Sequence, residues 1–168
     1  AYFYPNGNKN SVSRAAFGKL TGKEQVFHYN GTLAWERYYK HGNNDSLETK
    51  YDETGKIVLQ RRYLDDELEG EYTVFHDNGK KLREGNYHLG EREGYFINYG
   101  KDGITVRCRV KYKTGEIIAY SYLDKSGAYV PDVPVNLKAD KIITYYANGN
   151  KSAEIKIKDT YYEGKRFY

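Results

Sequence analysis

Four histidines are the side chains of this chain best suited to metal binding or acid–base chemistry: His28, His41, His76 and His88. Imidazole is a common metal ligand and titrates near neutral pH. His28 and His76 occupy equivalent places, each three residues before a glycine, where equivalent segments carry Tyr, Asp or Gly. A position that accepts such different side chains is typical of a solvated strand site. We therefore predict that these histidines form no metal centre.

The other candidates for chemistry are one cysteine and two acidic segments. Cys108 lies between Val106 and Val110 in an alternating strand pattern without a recurring histidine nearby, so we interpret it as a small strand residue rather than a nucleophile. Residues 65–67 and 91–93 are acidic turns that lack the ligand spacing of a calcium loop. The HExxH, CxxC, GxSxG and phosphate-loop patterns are absent from the sequence. We predict a protein without catalytic activity, metal or cofactor.

Composition favours a tyrosine-rich β protein. The 168 residues include 20 tyrosines, and the mean hydropathy is −0.90. Such low hydropathy is typical of disordered chains, but those lack aromatic residues, which make up 16% of this sequence. Tyrosine suits a half-wet sheet, because its ring packs while its hydroxyl stays in water. The net charge of +4 is mild and no arginine-rich run occurs, so we predict no nucleic-acid partner.

Glycines recur at intervals of 24 residues, which predicts a repeat architecture. The series comprises Gly7, Gly31, Gly55, Gly79, Gly103 and Gly127, and Gly149 follows 22 residues later. Each is preceded by a turn-prone residue: Asn6, Asn30, Thr54, Asn78, Asp102, Ser126 or Asn148. Asn-Gly and Asp-Gly favour two-residue type I′ hairpin turns, in which both central residues have positive φ. The chain is therefore predicted to be a series of β-hairpins.

Two sequence columns define the faces of the predicted sheet. Four residues before each turn glycine stands an apolar side chain, which we interpret as a buried structural ladder: Phe3, Phe27, Tyr51, Phe75, Tyr99, Leu123 and Tyr145. Five residues after the glycine stand polar side chains with basic neighbours: Glu36, Gln60, Glu84 and Glu154. We predict that this second column forms cross-strand charge pairs on the wet face.

One unit reads as turn, strand, second turn and strand. Residues 80–89 form one predicted strand, residues 90–94 a wider turn and residues 95–99 the return strand. The unit that starts at Gly31 has a longer, more polar second turn at residues 41–46. The predicted fold class is all-β, a repeat array of antiparallel β-hairpins that forms an elongated meander sheet.

Three segments are predicted along the chain. Residues 1–127 form the hairpin array, residues 128–140 an irregular break and residues 141–168 a final repeat. The break contains Pro131 and Pro134, which cannot donate to a β-ladder, so it should leave the sheet or form its edge. Both ends of the sequence cut through a unit, so further repeats, a cap or a neighbouring chain are expected there.

One motif carries a family resemblance. Residues 74–87 read Val-Phe-His-Asp-Asn-Gly-Lys-Lys-Leu-Arg-Glu-Gly-Asn-Tyr, and Glu-Gly follows at 93–94. This pattern resembles a bacterial MORN-repeat variant of the kind grouped as YwqK-like antitoxin proteins. The resemblance covers nearly the whole chain and is weakest over residues 104–140. It implies a β-hairpin array that serves as a scaffold or binding surface and is often exported in Gram-negative bacteria.

The predicted function is a non-enzymatic scaffold for protein–protein interaction or assembly in a bacterial cell envelope, periplasmic or associated with the outer membrane. The candidate contact residues are Tyr29, Trp35, His41 and Asp66. Specificity is expected in the second turns and in the column three residues before each turn glycine, namely Tyr4, His28, Asp52, His76 and Tyr146. Two alternatives stay open. Stacked aromatic side chains could bind glycans or the cell wall, and the array could bind a membrane surface.

Overall fold

A computed structural model of the chain describes residues 1–135, 141–146 and 148–156, and every regular element in these ranges is a β-strand. The predicted all-β class is therefore confirmed. The strands are β1 (Tyr2–Phe3), β2 (Lys9–Val12), β3 (Ala15–Ala16), β4 (Lys19–Leu20), β5 (Gly22–Phe27), β6 (Leu33–Lys40), β7 (Asn43–Asn44), β8 (Ser46–Tyr51), β9 (Ile57–Leu64), β10 (Glu67–Phe75), β11 (Lys81–His88), β12 (Glu91–Tyr99), β13 (Val106–Lys113), β14 (Glu116–Ser121), β15 (Val133–Pro134), β16 (Lys141–Tyr145) and β17 (Lys151–Lys156).

Most of these strands belong to one antiparallel meander, as the sequence predicts. Its order is β1-β2-β5-β6-β8-β9-β10-β11-β12-β13-β14-β15, and β7 pairs with β6 off this path. Two hairpins stand apart as separate two-stranded sheets, β3–β4 and β16–β17. Neighbouring strands in the chain are therefore neighbours in the sheet wherever a short turn joins them.

The chain divides into two compact units. The first comprises Ala1–Lys80 with Tyr87–Gly90, and the second comprises Lys81–Asn86 with Glu91–Tyr168. The predicted break at 128–140 falls within the second unit, and its residues 136–140 lie outside the described residues. Residues 157–168 of the predicted final repeat lie outside them as well.

The turns at Gly7, Gly31, Gly55, Gly79 and Gly127 are three-residue turns and the turn at Gly103 is one residue longer, so the predicted type I′ geometry is wrong at these glycines. The Gly7 amide donates to Tyr4 O at 2.9 Å, and Gly7 has φ 87° while Asn6 does not adopt positive φ. This is a type I turn followed by a left-handed glycine. Asn6 Oδ1 accepts the Asn8 amide at 3.0 Å, so the asparagine caps the turn from a right-handed backbone. Asparagine therefore suits the position before the glycine because its side chain caps the turn.

Type I′ turns occur instead at the opposite ends of the strands. In each of them both central residues have positive φ. Among the described residues these pairs are Phe17–Gly18, His41–Gly42, Asp65–Asp66, Leu89–Gly90 and Thr114–Gly115. The wider turn predicted at 90–94 and the longer turn predicted at 41–46 are both wrong, because β12 already begins at Glu91 and β7 already begins at Asn43.

The predicted ladder is not a buried core. Phe3 is 60% exposed and Tyr145 is 42% exposed. The other members are half-buried: Phe27, Tyr51, Phe75, Tyr99 and Leu123. The physical reason is position, since all but Leu123 are the last residues of their strands, beside a turn where few side chains cover them. The ladder prediction is therefore wrong about burial.

The buried apolar side chains described in the second unit lie on strands β12, β13 and β14 and on β16: Phe96, Cys108, Val110, Tyr112, Ile117, Ala119 and Ile142. The β16–β17 hairpin also contacts β13, where Thr144 Oγ1 and Ser152 Oγ donate to Arg107 O at 3.3 and 2.7 Å. Thr144 and Ser152 are fully buried. A second layer over β13 therefore creates the core of this unit.

The proline-containing segment forms a sheet edge, with β15 paired to β14 at the end of the strand order. A side-chain clamp holds it. Tyr95 Oη donates to Asp132 Oδ2 at 2.6 Å, and Lys111 Nζ lies 3.0 Å from the same oxygen. The Arg109 guanidinium packs over the rings of Tyr95 and Tyr129, at 4.4 and 3.8 Å from their centroids. Asp132 thus connects the edge segment to β12 and β13.

The clamp predicts a pH dependence. The hydrogen bond from Tyr95, together with Lys111, lowers the pKa of Asp132 below its ordinary value of 3.8. Because the pKa of Asp132 is lower in the folded state, its interactions stabilise the fold fully above the ordinary pKa. This stabilisation is lost as the pH falls through the folded-state pKa. We expect Asp132→Asn to lower the free energy of unfolding by about 1 kcal/mol at pH 7. Urea titrations at pH 7 and pH 3 should show this difference shrinking at the lower pH, and an equal difference at both would contradict the clamp.

Candidate interaction surface

The four predicted contact residues do not form one site. Tyr29 lies at the end of the strands where the recurring glycines stand, and Trp35 lies within β6. His41 and Asp66 lie in type I′ turns at the opposite end of the strands. The structure therefore brings only His41 and Asp66 to a common edge.

Tyr29 has a structural role at its turn. Its ring contacts the Tyr4 ring edge-on, with 5.3 Å between centroids. Its carbonyl oxygen accepts hydrogen bonds from Asn6 Nδ2 and Asn8 Nδ2 at 3.0 and 2.9 Å. These bonds join two successive hairpins, although the Tyr29 side chain stays 59% exposed.

Trp35 belongs to a charged and aromatic network on one face of the first unit. The Arg37 guanidinium lies 4.3 Å from the Trp35 ring centroid and 5.0 Å from that of Tyr39. Arg37 also pairs with Glu24 at 3.2 Å and lies 3.8 Å from Glu48. Arg37 therefore covers one face of the Trp35 ring by cation–π packing, and carboxylates of the protein hold the guanidinium in that position.

The column three residues before the turn glycines joins the hairpins together. Tyr4 Oη donates to Phe27 O at 2.8 Å, and His28 Nε2 donates to Tyr51 O at 3.1 Å. Asp52 instead caps its own turn by accepting the amides of Thr54 and Lys56. At these three positions the side chains bond to the backbone, and the role of the column in specificity stays a prediction.

The type I′ turns of the first unit form a row, which we call the turn row and define as Phe17, His41, Asp65 and Leu89, the first residue of each turn. The amides of the second turn residues join the turns together. Gly42, Asp66 and Gly90 each donate to a carbonyl oxygen near the preceding turn at 3.0 Å. Successive turns are two strands apart, so members of the row stand about 10 Å from one another.

Two members of the turn row combine exposure with an unfavourable backbone. Phe17 has φ 51° and Leu89 has φ 50°. Left-handed backbone favours Gly, Asn and Asp and costs a bulky residue about 1–2 kcal/mol. Phe17 is 104% exposed and Leu89 is 67% exposed, so neither gains burial in return. Strained, exposed apolar side chains of this kind indicate a function outside folding.

Acidic side chains hold the turn row in place. Asp66 Oδ1 accepts the Asn44 amide at 2.7 Å. Glu69 Oε2 accepts the Leu89 amide at 2.9 Å, while Glu69 Oε1 lies 3.0 Å from His88 Nδ1. The hydrogen bond from His88 lowers the pKa of Glu69. The turns are thus held in one conformation before binding, which reduces the conformational entropy that is lost when a partner binds.

Replacing the two apolar tips should stabilise the fold. We expect Phe17→Asn and Leu89→Asn each to raise the free energy of unfolding by about 1 kcal/mol, since asparagine tolerates left-handed backbone. Urea denaturation measures this change. Leu64→Asn is the matched control, because Leu64 is 54% exposed but does not adopt positive φ. Equal responses at all three positions would contradict the strain argument.

The predicted chemical candidates occupy structural places. Cys108 is 1% exposed, and burial raises the pKa of its thiol. Within residues 1–135, 141–146 and 148–156, no group of three or more His, Cys, Asp or Glu side chains could hold a metal ion. Phe17 and Leu89 were not among the contact residues predicted from the sequence. The sequence did contain a signal for these turns, since Gly18, Gly42 and Gly90 are spaced by multiples of 24 residues. None of these glycines is preceded by asparagine, so they lack the usual Asn-Gly turn signature.

The fold and the turn row together define an all-β protein built from consecutive hairpins with a preorganised edge. No protein-family model matches the chain, and a search of the curated proteins found no match.

Proposed function

We propose that this protein is a non-catalytic scaffold of MORN-like β-hairpins that binds a protein partner through its turn row, in a bacterial cell envelope. The observation that carries the proposal is the display of Phe17 and Leu89, exposed apolar side chains held in left-handed backbone. A central apolar anchor, aromatic or aliphatic, is a common feature of protein-binding surfaces. Several equivalent turns present them together, as repeat proteins present their binding surfaces.

The two alternative ligands have less support. A glycan platform needs open aromatic faces, and Arg37 covers one face of Trp35, the single tryptophan of the chain. For a membrane surface, the acidic side chains of Asp65, in the turn row, and of the adjacent Asp66 would oppose contact of the third turn with anionic lipids. The part of the chain that the structure describes contains no helix long and apolar enough to cross a bilayer.

Site-specific photo-crosslinking in the native cell tests the proposal. A photoreactive residue at position 41 or 65 should give covalent protein adducts, because both positions are exposed members of the turn row. Positions 53 and 77 are matched controls, since they are exposed beside the glycine turns at the other end of the strands. Adducts from the control positions alone, or from none of the four, would contradict the proposal.

A further inference from the structure

The turn row has an ordered chemistry along its length. It begins with apolar Phe17, continues with His41 beside basic side chains, then with acidic Asp65, and ends with apolar Leu89. All four belong to the first unit and are exposed. Read from either end, the row therefore starts with an apolar tip, and its two middle members differ in charge.

The basic half lies around the first two turns. The Lys19 side chain lies against the second turn. Its Cβ, Cδ and Cγ atoms are 3.5–3.7 Å from the position that a Cβ atom on Gly42 would occupy. Lys40 directly precedes His41, and its side chain is 69% exposed, with Asp45 the nearest carboxylate at 3.9 Å. Within the part of the chain that the structure describes, neither ammonium group lies within hydrogen-bonding distance of a carboxylate. This end of the row can therefore attract an acidic surface.

The acidic half lies around the third turn. Asp65, Asp66 and Glu67 are all exposed, and residues 64–75 contain no lysine or arginine. Asp65 Oδ1 makes a long contact to Asn43 Nδ2, at 3.4 Å. Leu64, 54% exposed, adds apolar surface beside these carboxylates. The excess of negative charge is local, since the whole chain carries a net charge of +4.

We propose that the partner of the turn row is a second copy of this chain, related by a two-fold axis that runs between His41 and Asp65. In this arrangement Phe17 of one copy faces Leu89 of the other. The basic half with Lys19 and Lys40 faces the acidic half with Asp65 and Glu67. Such an isologous contact uses the same surface on both copies, so the order apolar, basic, acidic, apolar complements itself. This inference rests on the proposed function and names the partner of the same surface.

The dimensions of the row set the strength of the contact. Three intervals of about 10 Å give a row about 30 Å long, and a single-layer sheet end is narrow. The contact therefore falls at the small end of interface sizes, which is the range of weak and reversible complexes. The fraction of the protein that is dimeric should rise with protein concentration. Added salt should lower this fraction, because it screens exposed charges.

Sedimentation velocity on the full chain, from about 10 µM to 1 mM, tests the dimer. The wild type should shift from monomer to dimer across this range. One variant, Lys19→Glu with Lys40→Glu, makes the row acidic, and a second, Asp65→Lys with Glu67→Lys, makes it basic. Asp66 is kept because it caps the Asn44 amide. Each variant alone should stay monomeric, with unchanged circular dichroism, and an equimolar mixture should form a one-to-one dimer.

Two outcomes would overturn the dimer. The first is a wild type that stays monomeric over the whole range. The second is a mixture of the charge-reversed variants that associates no more than each variant alone. Crosslinking to a different protein from position 41, with a monomeric wild type, would overturn the dimer while leaving the scaffold proposal in place.

Discussion

Replacing Phe96 with alanine should lower the free energy of unfolding by about 3–5 kcal/mol. Phe96 is 2% exposed, and its ring lies 5.1 Å from the Tyr112 ring and 5.4 Å from the Arg92 guanidinium. A Cβ on Gly85 would lie 2.6 Å from three atoms of the Phe96 ring, so the ring fills the space that this glycine leaves open. Truncation would leave a cavity that the sheet cannot close. Urea denaturation followed by circular dichroism measures the loss.

Phe75→Ala is the matched control for this prediction. Phe75 is half-buried at the last position of its strand, so its truncation should cost clearly less, about 1–2 kcal/mol. Losses of the same size at both positions would contradict the placement of the core around Phe96.

Replacing Glu48 with glutamine should cost about 3–5 kcal/mol, because it leaves cations without their carboxylate at a buried site. Glu48 is 2% exposed, and its Oε1 lies 2.8 Å from both Nε and Nη2 of Arg61. Arg37 and Lys50 lie 3.8 and 3.9 Å from the same carboxylate. Thermal and urea unfolding of the variant measure the effect.

Glu71→Gln provides the control for Glu48. Glu71 is 80% exposed and lies 3.7 Å from Arg62, so this exposed pair should contribute no more than about 1 kcal/mol. If Glu48→Gln proved as mild as Glu71→Gln, the ionic network would not stabilise the first unit.

The class and topology of the fold were predictable because they depend on local patterns. Short strands that end in turn residues can pair with their neighbours in the chain, and a meander results. The turn geometry was not predictable from the glycine alone. Asn6 favours the turn by capping it with Oδ1 and not by adopting positive φ, and both causes leave the same Asn-Gly signature in a sequence.

The core and the turn row were missed for different reasons. Burial of Cys108, Val110 and Phe96 depends on which faces of the strands are covered, including the return of the β16–β17 hairpin onto β13, and such long-range contacts leave no local signal. Phe17 and Leu89 occupy turns that turn propensities assign to Gly, Asn or Asp. Departures of this kind from local preference are typical of functional sites.

Under the proposed function, the strained apolar tips of the turn row exist for binding. The most direct test compares crosslinking from a photoreactive residue at position 41 in the wild type and in the Phe17→Asn, Leu89→Asn double variant, with the melting temperature of each. We expect the double variant to melt at a higher temperature and to lose most of its adducts. A double variant that crosslinks as well as the wild type would contradict this expectation.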